Sequence, residues 1–275
     1  MAIFMDRHDL AATTAEDIAE AHRKDLAVEG RYGVRFLTYW YDQHRGTAFC
    51  LIDAPDAETA QCVHREAHGF VAGEVVEVAL SAVEAFLGRI NEPEQKAGQT
   101  SVERDAGHRA IMFTDIVSST EMTSRLGDRM AAELIRAHDA IVRRCLEQCE
   151  GREVKHTGDG IMASFVSTRA AVGCAMSIQR EFRIFNAGTP EPIHVRIGLD
   201  CGEPIEDSRD IFGSTVQLAA RLCAAADSDQ ILVSENIFRE HGASELFANA
   251  TRRDLKGFSK PVLAFECEWT ETEPR

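Results

Sequence analysis

The sequence predicts an α+β protein built as two domains, and three observations carry that reading. Runs with strand periodicity alternate with helix-period runs along nearly all of the 275 residues. A polar tract at 88–106, GRINEPEQKAGQTSVERDA, brings Gly, Pro, Gln and Ser together without any sustained apolar period, as a linker does. A hydrophobic content of 44% and a charged content of 27% belong to a folded chain, long enough for two cores of ordinary size. The predicted division is 1–87 for the first domain, 88–106 for the linker, 107–269 for the second domain and 270–275 for a tail.

The first domain opens with a short strand near Ala2–Asp6. Thr14 then starts a helix whose first turn holds Glu16 and Asp17, where acids complement the helix dipole. Two strand runs, VRFLTYWY from Val34 and TAFCLI from Thr47, are joined by DQHRG. A second helix, DAETAQCVHREAH, leads into the strand-like VAGEVVEV. The order βαββαβ predicts a ferredoxin-like sandwich.

In the second domain, RAIMFTDI from Arg109 reads as a buried strand. The helix behind it puts Met130, Leu134, Ala137 and Ile141 on one face, with Gly151 as its stop. VKHTGDGIMASF reads as a hairpin whose glycines supply the turn, and a helix begins near Ser167. IHVRIGLD alternates Ile193, Val195, Ile197 and Leu199 with polar or small residues. GSTVQLAARLCAAA reads as a helix, QILVS as a strand and LKGFSKPVLAFECEW as a closing hairpin, so the sheet is expected to be mainly antiparallel.

Composition removes several classes of function. A formal charge of −15 opposes general nucleic-acid binding, which needs a basic face. The stretch VAGEVVEVALSAVEAFL is broken by Glu74, Glu77 and Glu84 and cannot span a bilayer. The N-terminus MAIFMDRHDL lacks a basic region followed by an apolar one, so the expected compartment is the cytoplasm. The eight scattered cysteines form no CxxC pair and read as reduced core thiols.

Several polar residues stand where chemistry is possible. Asp115, at the end of FTDI and before small hydroxyl residues, is placed to cap a helix or to bind a cation; the N–H groups and hydroxyls that follow can cradle phosphate. Asp159 at the hairpin tip is either a turn residue or a second carboxylate. Two carboxylates at neighbouring strand ends can hold two hard cations with triphosphate oxygens completing the shell. Gln217 and Arg221, four apart on a predicted helix, share a face; Arg221 and Lys155 also fit as solvated surface charges.

From about Gly107 to Trp269 the chain resembles the catalytic domain of class III nucleotidyl cyclases, the adenylyl and guanylyl cyclases. The resemblance rests on FTDIVSST, VKHTGDGIMASF, VRIGLDCGEP, DIFGSTVQLAARL and LKGFSKPV, five segments in the family's order. It implies the cyclase α/β fold, with Asp115 and Asp159 as metal carboxylates for two Mg²⁺ or Mn²⁺ ions and the backbone carbonyl of Ile116 assisting. Lys155 and Asp210 would read the base, Arg221 would stabilise charge on the transferring phosphate, and Lys256 matches a lysine near the phosphates. An ammonium can donate to adenine N1 and a carboxylate can accept from the N6 amine, whereas guanine offers a carbonyl there, so this pair favours ATP over GTP. The family usually has asparagine where this chain has Gln217, which keeps the amide but adds a rotatable bond. The resemblance also implies a head-to-tail homodimer, with metal carboxylates from one subunit and the base-reading and Gln217/Arg221 pairs from the other.

Residues 1–87 resemble a family of small bacterial nickel-binding proteins with a ferredoxin-like fold, through GVRFLTYWYD, AFCLIDAP and HREAHG. Independently of that resemblance, His64 and His68 are four apart on a predicted helix and face one way, with Cys50, His22 or His44 as further candidate ligands for a divalent ion; the resemblance implies Ni²⁺ as a candidate. The expected function is a homodimeric adenylyl cyclase with an N-terminal sensor. The alternatives are a guanylyl or mixed-specificity cyclase, a catalytically weak nucleotide-binding regulator, and a metal buffer.

Overall fold

The computed structural model describes residues 2–91, 105–203 and 213–270. It divides into two compact units: residues 1–108 with 203–211, and residues 109–202 with 212–275. Most of the expected linker (92–104), Asp210 and the expected tail fall outside the described residues, apart from Thr270.

Unit 1 runs β1 (Ala2–Asp9), α1 (Ala15–Val28), β2 (Arg35–Asp42), β3 (Thr47–Ala54), α2 (Ala57–Ala67), β4 (Glu74–Glu77) and α3 (Leu80–Leu87). Its four strands lie in the order β2-β3-β1-β4, every neighbouring pair antiparallel, which is the ferredoxin-like arrangement. Thr14 caps α1 through a reciprocal box with Asp17, and the Asp56 carboxylate accepts from the Thr59 N–H at 2.7 Å to start α2. Phe4, Phe36 and Ile52 from the strands pack with Ala60 and Val63 of α2.

Two details differ from the sequence expectation. The first strand continues past Asp6 to Asp9, because its whole length pairs with β3. The run after VAGEVVEV forms α3, which buries Val83, Phe86 and Leu87 and ends at Gly88 with φ 85°. A left-handed C-cap suits glycine. Arg89 then stacks over the Trp40 ring at 4.6 Å.

Unit 2 contains β5 (Arg109–Ile116), α4 (Ser119–Leu126), α5 (Asp128–Gln148), β6 (Arg152–His156), β7 (Ile161–Phe165), α6 (Thr168–Ala187), β8 (Val195–Gly202), α7 (Gly213–Ala225), β9 (Ile231–Ser234), α8 (Glu235–His241), β10 (Phe247–Arg253) and β11 (Val262–Cys267). The sheet order is β10-β11-β9-β8-β5-β7-β6; β8 and β9 run parallel and the other neighbours antiparallel. Alternation along β9 separates two cores. Ile231 and Val233 join the large cluster with α5, α6 and α8, while Leu232 joins Leu222 and Ala226 of the α7 side.

The expected single helix after β5 is two, broken at Gly127 with φ 79°. Met130 stands 43% exposed in the first turn of α5, while Leu134 and Ile141 of the same predicted face are buried. The closing hairpin begins upstream of its expected place: β10 supplies its first strand and LKGFSKP is the connection, not a strand. The short α8 was not anticipated. Among the described residues no helix is long and apolar enough to cross a membrane.

Candidate functional site

In unit 2, two carboxylates meet at the end of the central strands. Asp115 occupies the penultimate position of β5, with Ile116 after it, and Asp159 lies in the β6–β7 turn. Glycines shape that turn. Gly158 has φ 97°, and a Cβ on Gly160 would lie 1.9 Å from the Thr114 carbonyl oxygen, so only glycine lets the turn press against β5. The Ile161 N–H donates to Thr114 Oγ1 at 3.0 Å and holds the turn there. The Ser119 hydroxyl, at the start of α4, donates to Asp159.

Arg196 on β8 sits opposite Asp115 in the ladder, and its Nε and Nη2 donate to Asp115 Oδ2 at 2.8 and 2.5 Å. Burial raises the Asp115 pKa and the nearby Asp159 raises it further, outweighing the opposing pull of Arg196. Crowded carboxylates of this kind are relieved by a cation. The donors at hand are all oxygen, so the residues fit a hard divalent ion.

Helix α7 packs directly on β8: a Cβ on Gly198 would meet the Cys223 nitrogen at 2.1 Å. Arg196 is anchored from this side too, Nη1 donating to the Ala224 carbonyl at 3.0 Å. Gln217 and Arg221 lie on the exposed face of α7. Lys155 is exposed on the edge strand β6, beyond a bulge between Glu153 and Lys155, and Lys256 is exposed between β10 and β11. Sequence reading passed over Arg196, although a charged residue between buried Val195 and Ile197 was a signal that it faces across the sheet.

Behind the carboxylates runs a second polar chain, also missed. His138 of α5 is fully buried, stacked on Phe182, and its Nδ1 lies 3.0 Å from Asp139 Oδ1. Asp139 Oδ2 lies 2.8 Å from His156 Nε2. His138 Nε2 is 3.4 Å from Thr114 Oγ1. Burial would raise the Asp139 pKa, but hydrogen bonds from both histidines outweigh it and hold the carboxylate below its usual range.

Unit 1 holds a different centre, built of buried groups. Asp6, His8, Cys50 and His64 present ligand atoms within 4.8 Å of one another, and Asp25, His64 and His68 form a second such group that shares His64. His64 Nε2 is 2.8 Å from Asp6 Oδ2 and its Nδ1 is 3.0 Å from Asp25 Oδ1. His68 Nε2 lies 3.0 Å from Asp25 Oδ2, and His8 Nε2 lies 4.0 Å from Cys50 Sγ. Burial works against a charged imidazole at His8, yet the Asp6 charge prevails and pushes its pKa up to about 10. His64 moves in the same direction for the same reason, and Asp6 is held below the usual carboxylate range. The mixture of imidazole, thiol and carboxylate fits a borderline divalent cation, which would displace these protons.

Of the residues the sequence singled out, His64 lies in both groups, Cys50 in the first and His68 in the second, so Cys50 and His68 do not share a group. His22 is buried and lines the same cavity, with its ring 4.7 Å from that of Tyr39, but it belongs to neither ligand group. His44 is exposed in the β2–β3 turn. Asp6, His8 and Asp25 escaped the sequence reading.

Comparison with known proteins agrees with both units. The model of the nickel responsive protein SCO4226-like family matches residues 4–78. An adenylate cyclase from Mycosarcoma maydis is 31% identical over 160 residues, covering 49% of this chain and 6% of that protein. An uncharacterised protein of Mycobacterium tuberculosis (strain ATCC 25618 / H37Rv) is 33% identical over 170 residues, covering 62% and 43%. The chain spans less than half the length of these curated relatives. The crystal structure of an adenylate/guanylate cyclase/hydrolase from Silicibacter pomeroyi superposes with a TM-score of 0.51 at 28% identity, covering 58% of this chain and 95% of that one. The model of the adenylate and guanylate cyclase catalytic domain matches residues 102–261, more than half of the sequence, and the chain belongs to that family.

Proposed function

We propose that the chain is an adenylyl cyclase that converts ATP to 3′,5′-cyclic AMP and pyrophosphate at sites shared between two copies of itself. The observation that carries this reading is the Asp115/Asp159 pair, pinned at the end of the central strands by Gly160, Ser119 and Arg196 within the cyclase-family span. Asp115, Asp159 and the Ile116 carbonyl would hold two Mg²⁺ or Mn²⁺ ions, which when bound supply Lewis-acid charge at the ribose 3′-hydroxyl and the β- and γ-phosphates.

In the reaction, the ribose 3′-oxygen bonds to the α-phosphorus as the bond to the β-phosphate bridging oxygen breaks. The protein's side chains position groups and balance charge. Arg196 keeps Asp115 in place and offsets its charge. Lys155 donates to adenine N1, and Asp210 accepts from the N6 amine. Gln217 orients the ribose, Arg221 meets charge developing on the transferring phosphate, and Lys256 faces the phosphates.

Gln217, Arg221 and Lys155 stand on exposed surfaces, whereas the carboxylates are partly buried at the strand ends. This separation favours assembly from two copies, since one copy's exposed set can complete the other's carboxylates. Unit 1 would bind Ni²⁺ or a similar ion through His64 with Asp6, His8 and Cys50, or with Asp25 and His68, and so bias the dimer geometry.

An assay with ATP and GTP, each with Mg²⁺ and Mn²⁺, tests the proposal. Cyclic AMP should exceed cyclic GMP, with activity in Mn²⁺ at least equal to that in Mg²⁺. Dominant cyclic GMP formation would make the chain a guanylyl cyclase. ATP binding without cyclic AMP in Mn²⁺, with and without Ni²⁺, would make it a nucleotide-binding regulator.

A further inference from the structure

Lys155 has a weak mechanical footing for a residue that is to discriminate between bases. It sits on β6, paired among the described residues with β7 alone, just after the bulge between Glu153 and Lys155. Past the bulge only two register pairs remain, Lys155 with Met162 and His156 with Ile161. Edge strands interrupted by bulges are locally twisted and loosely paired. Something other than the ladder must fix the direction of Lys155.

The neighbouring side chain supplies that fixture. His156 Nε2 is 2.8 Å from Asp139 Oδ2, tying the end of β6 to the middle of α5. Asp139 does not move freely, because its other oxygen takes the Nδ1 of fully buried His138 at 3.0 Å. With Nδ1–H donating to Asp139, His138 Nε2 is left to accept from the Thr114 hydroxyl, and Thr114 Oγ1 in turn accepts from Ile161 N–H at 3.0 Å. The donors and acceptors are consistent along the whole chain. Thr114 immediately precedes Asp115, and Ile161 follows the Asp159 turn. One carboxylate on a helix therefore holds two things in register: the strand end carrying Lys155, and the backbone carrying the metal carboxylates.

We infer that Asp139 is a positioning residue with two separable arms, the His156 arm setting nucleotide selection through Lys155 and the His138–Thr114 arm setting turnover through Asp115 and Asp159. This rests on the adenylyl cyclase reading and goes beyond it, because none of His138, Asp139 and His156 is assigned to nucleotide or metal. The arms differ in what they move. Loss of the His156 tie frees an exposed lysine on an edge strand, so binding preference suffers while the carboxylates stay put. Loss of the Thr114 hydroxyl leaves β6 anchored but loosens the turn against β5.

The test uses the full chain and its His156→Ala, His156→Gln and Thr114→Val variants. Affinity is measured for 3′-deoxyATP and 3′-deoxyGTP, which lack the attacking hydroxyl, alongside KM and kcat for ATP. His156→Ala should lose roughly fivefold to tenfold of its preference for the adenine analogue, the scale of one ordered charged hydrogen bond. Its KM should rise while kcat falls by less than about twofold. His156→Gln, whose amide can still donate to Asp139, should retain most of the preference, which a general loss of folding would not allow. Thr114→Val should lower kcat roughly tenfold with the adenine preference unchanged. A wild-type preference that survives in His156→Ala overturns the inference, as does an equal fall of kcat and preference in both arms. Wild-type protein that prefers the adenine analogue yet forms no cyclic AMP would sink the cyclase reading, while the analogue preferences of the variants still decide the His156 arm. Absence of any preference in the wild type would overturn the inference and the adenine selectivity of the site, leaving cyclic nucleotide formation to decide the cyclase reading.

Discussion

The two units each concentrate acid and imidazole groups, yet they solve the burial of charge in opposite ways. In unit 1 the cluster is closed: Asp6, His64 and Asp25 are each at most 5% exposed, and every charge has an opposite charge within 3.2 Å. In unit 2 the carboxylates are open to one side and crowd each other. Arg196 is their close counter-charge among the described residues, and the Asp115 side chain keeps 26% of its exposure. A closed, self-neutralised cluster is suited to a small ion that replaces protons. An open, under-neutralised pair is suited to ions that arrive with a polyanion and with groups from a second copy. The contrast gives the units different vulnerabilities, one in folding and the other in turnover.

The largest expected effect lies in unit 2. Asp115→Ala should lower kcat at least about 10³-fold, because the remaining carboxylate cannot hold the ions that carry the developing charge. Its melting curve should stay near wild type, since the removed group is only partly buried and its pKa is raised in the fold, so its ionisation opposes folding. Near-normal turnover would break the metal assignment.

The second effect lies in unit 1 and is read as stability. His64→Ala should cost about 2–3 kcal/mol, because it removes one charged hydrogen bond from each of two buried carboxylates, leaving Asp6 with His8 and Asp25 with His68. Trp40 is buried in this unit, and the chain's other tryptophan is Trp269, so denaturation followed by fluorescence in a Trp269→Phe background reports unit 1 alone. A stability change below about 1 kcal/mol would show that the cluster does not hold unit 1 together. The smallest effect is expected of Gln217→Asn, which removes one rotatable bond from an exposed side chain and should keep kcat or raise it a few-fold. A tenfold loss would mean that this site is built around glutamine.

The same contrast explains what was legible in the sequence. Asp115 and Asp159 could be read because local chemistry announces them, one at the end of an apolar run and the other between two glycines. His64 and His68 could be read from their helical spacing, with Cys50 only one of three further candidates beside His22 and His44. Their partners could not. Asp6 and His64 are 58 residues apart, and Asp25 and His64 39 residues apart, so they meet only through the packing of α2 against α1 and the sheet. Arg196 is 81 residues from Asp115 and is found only through the register of β5 with β8. Met130 was misplaced because it stands in the first turn of α5, where the apolar face of the helix is not yet covered. Helices as short as α3 and α8 carry too few turns for periodicity to announce them.

The central claim is a site shared between two copies, and complementation tests it most directly. Asp115→Ala chains keep the exposed Arg221 set, and Arg221→Ala chains keep the carboxylates, so each alone should be inactive. Mixed one to one with subunit exchange, half of the dimers carry one intact site of two, and activity should return to about a quarter of wild type. Exchange verified by differently tagged chains, with activity remaining at the level of the separate variants, would contradict the account.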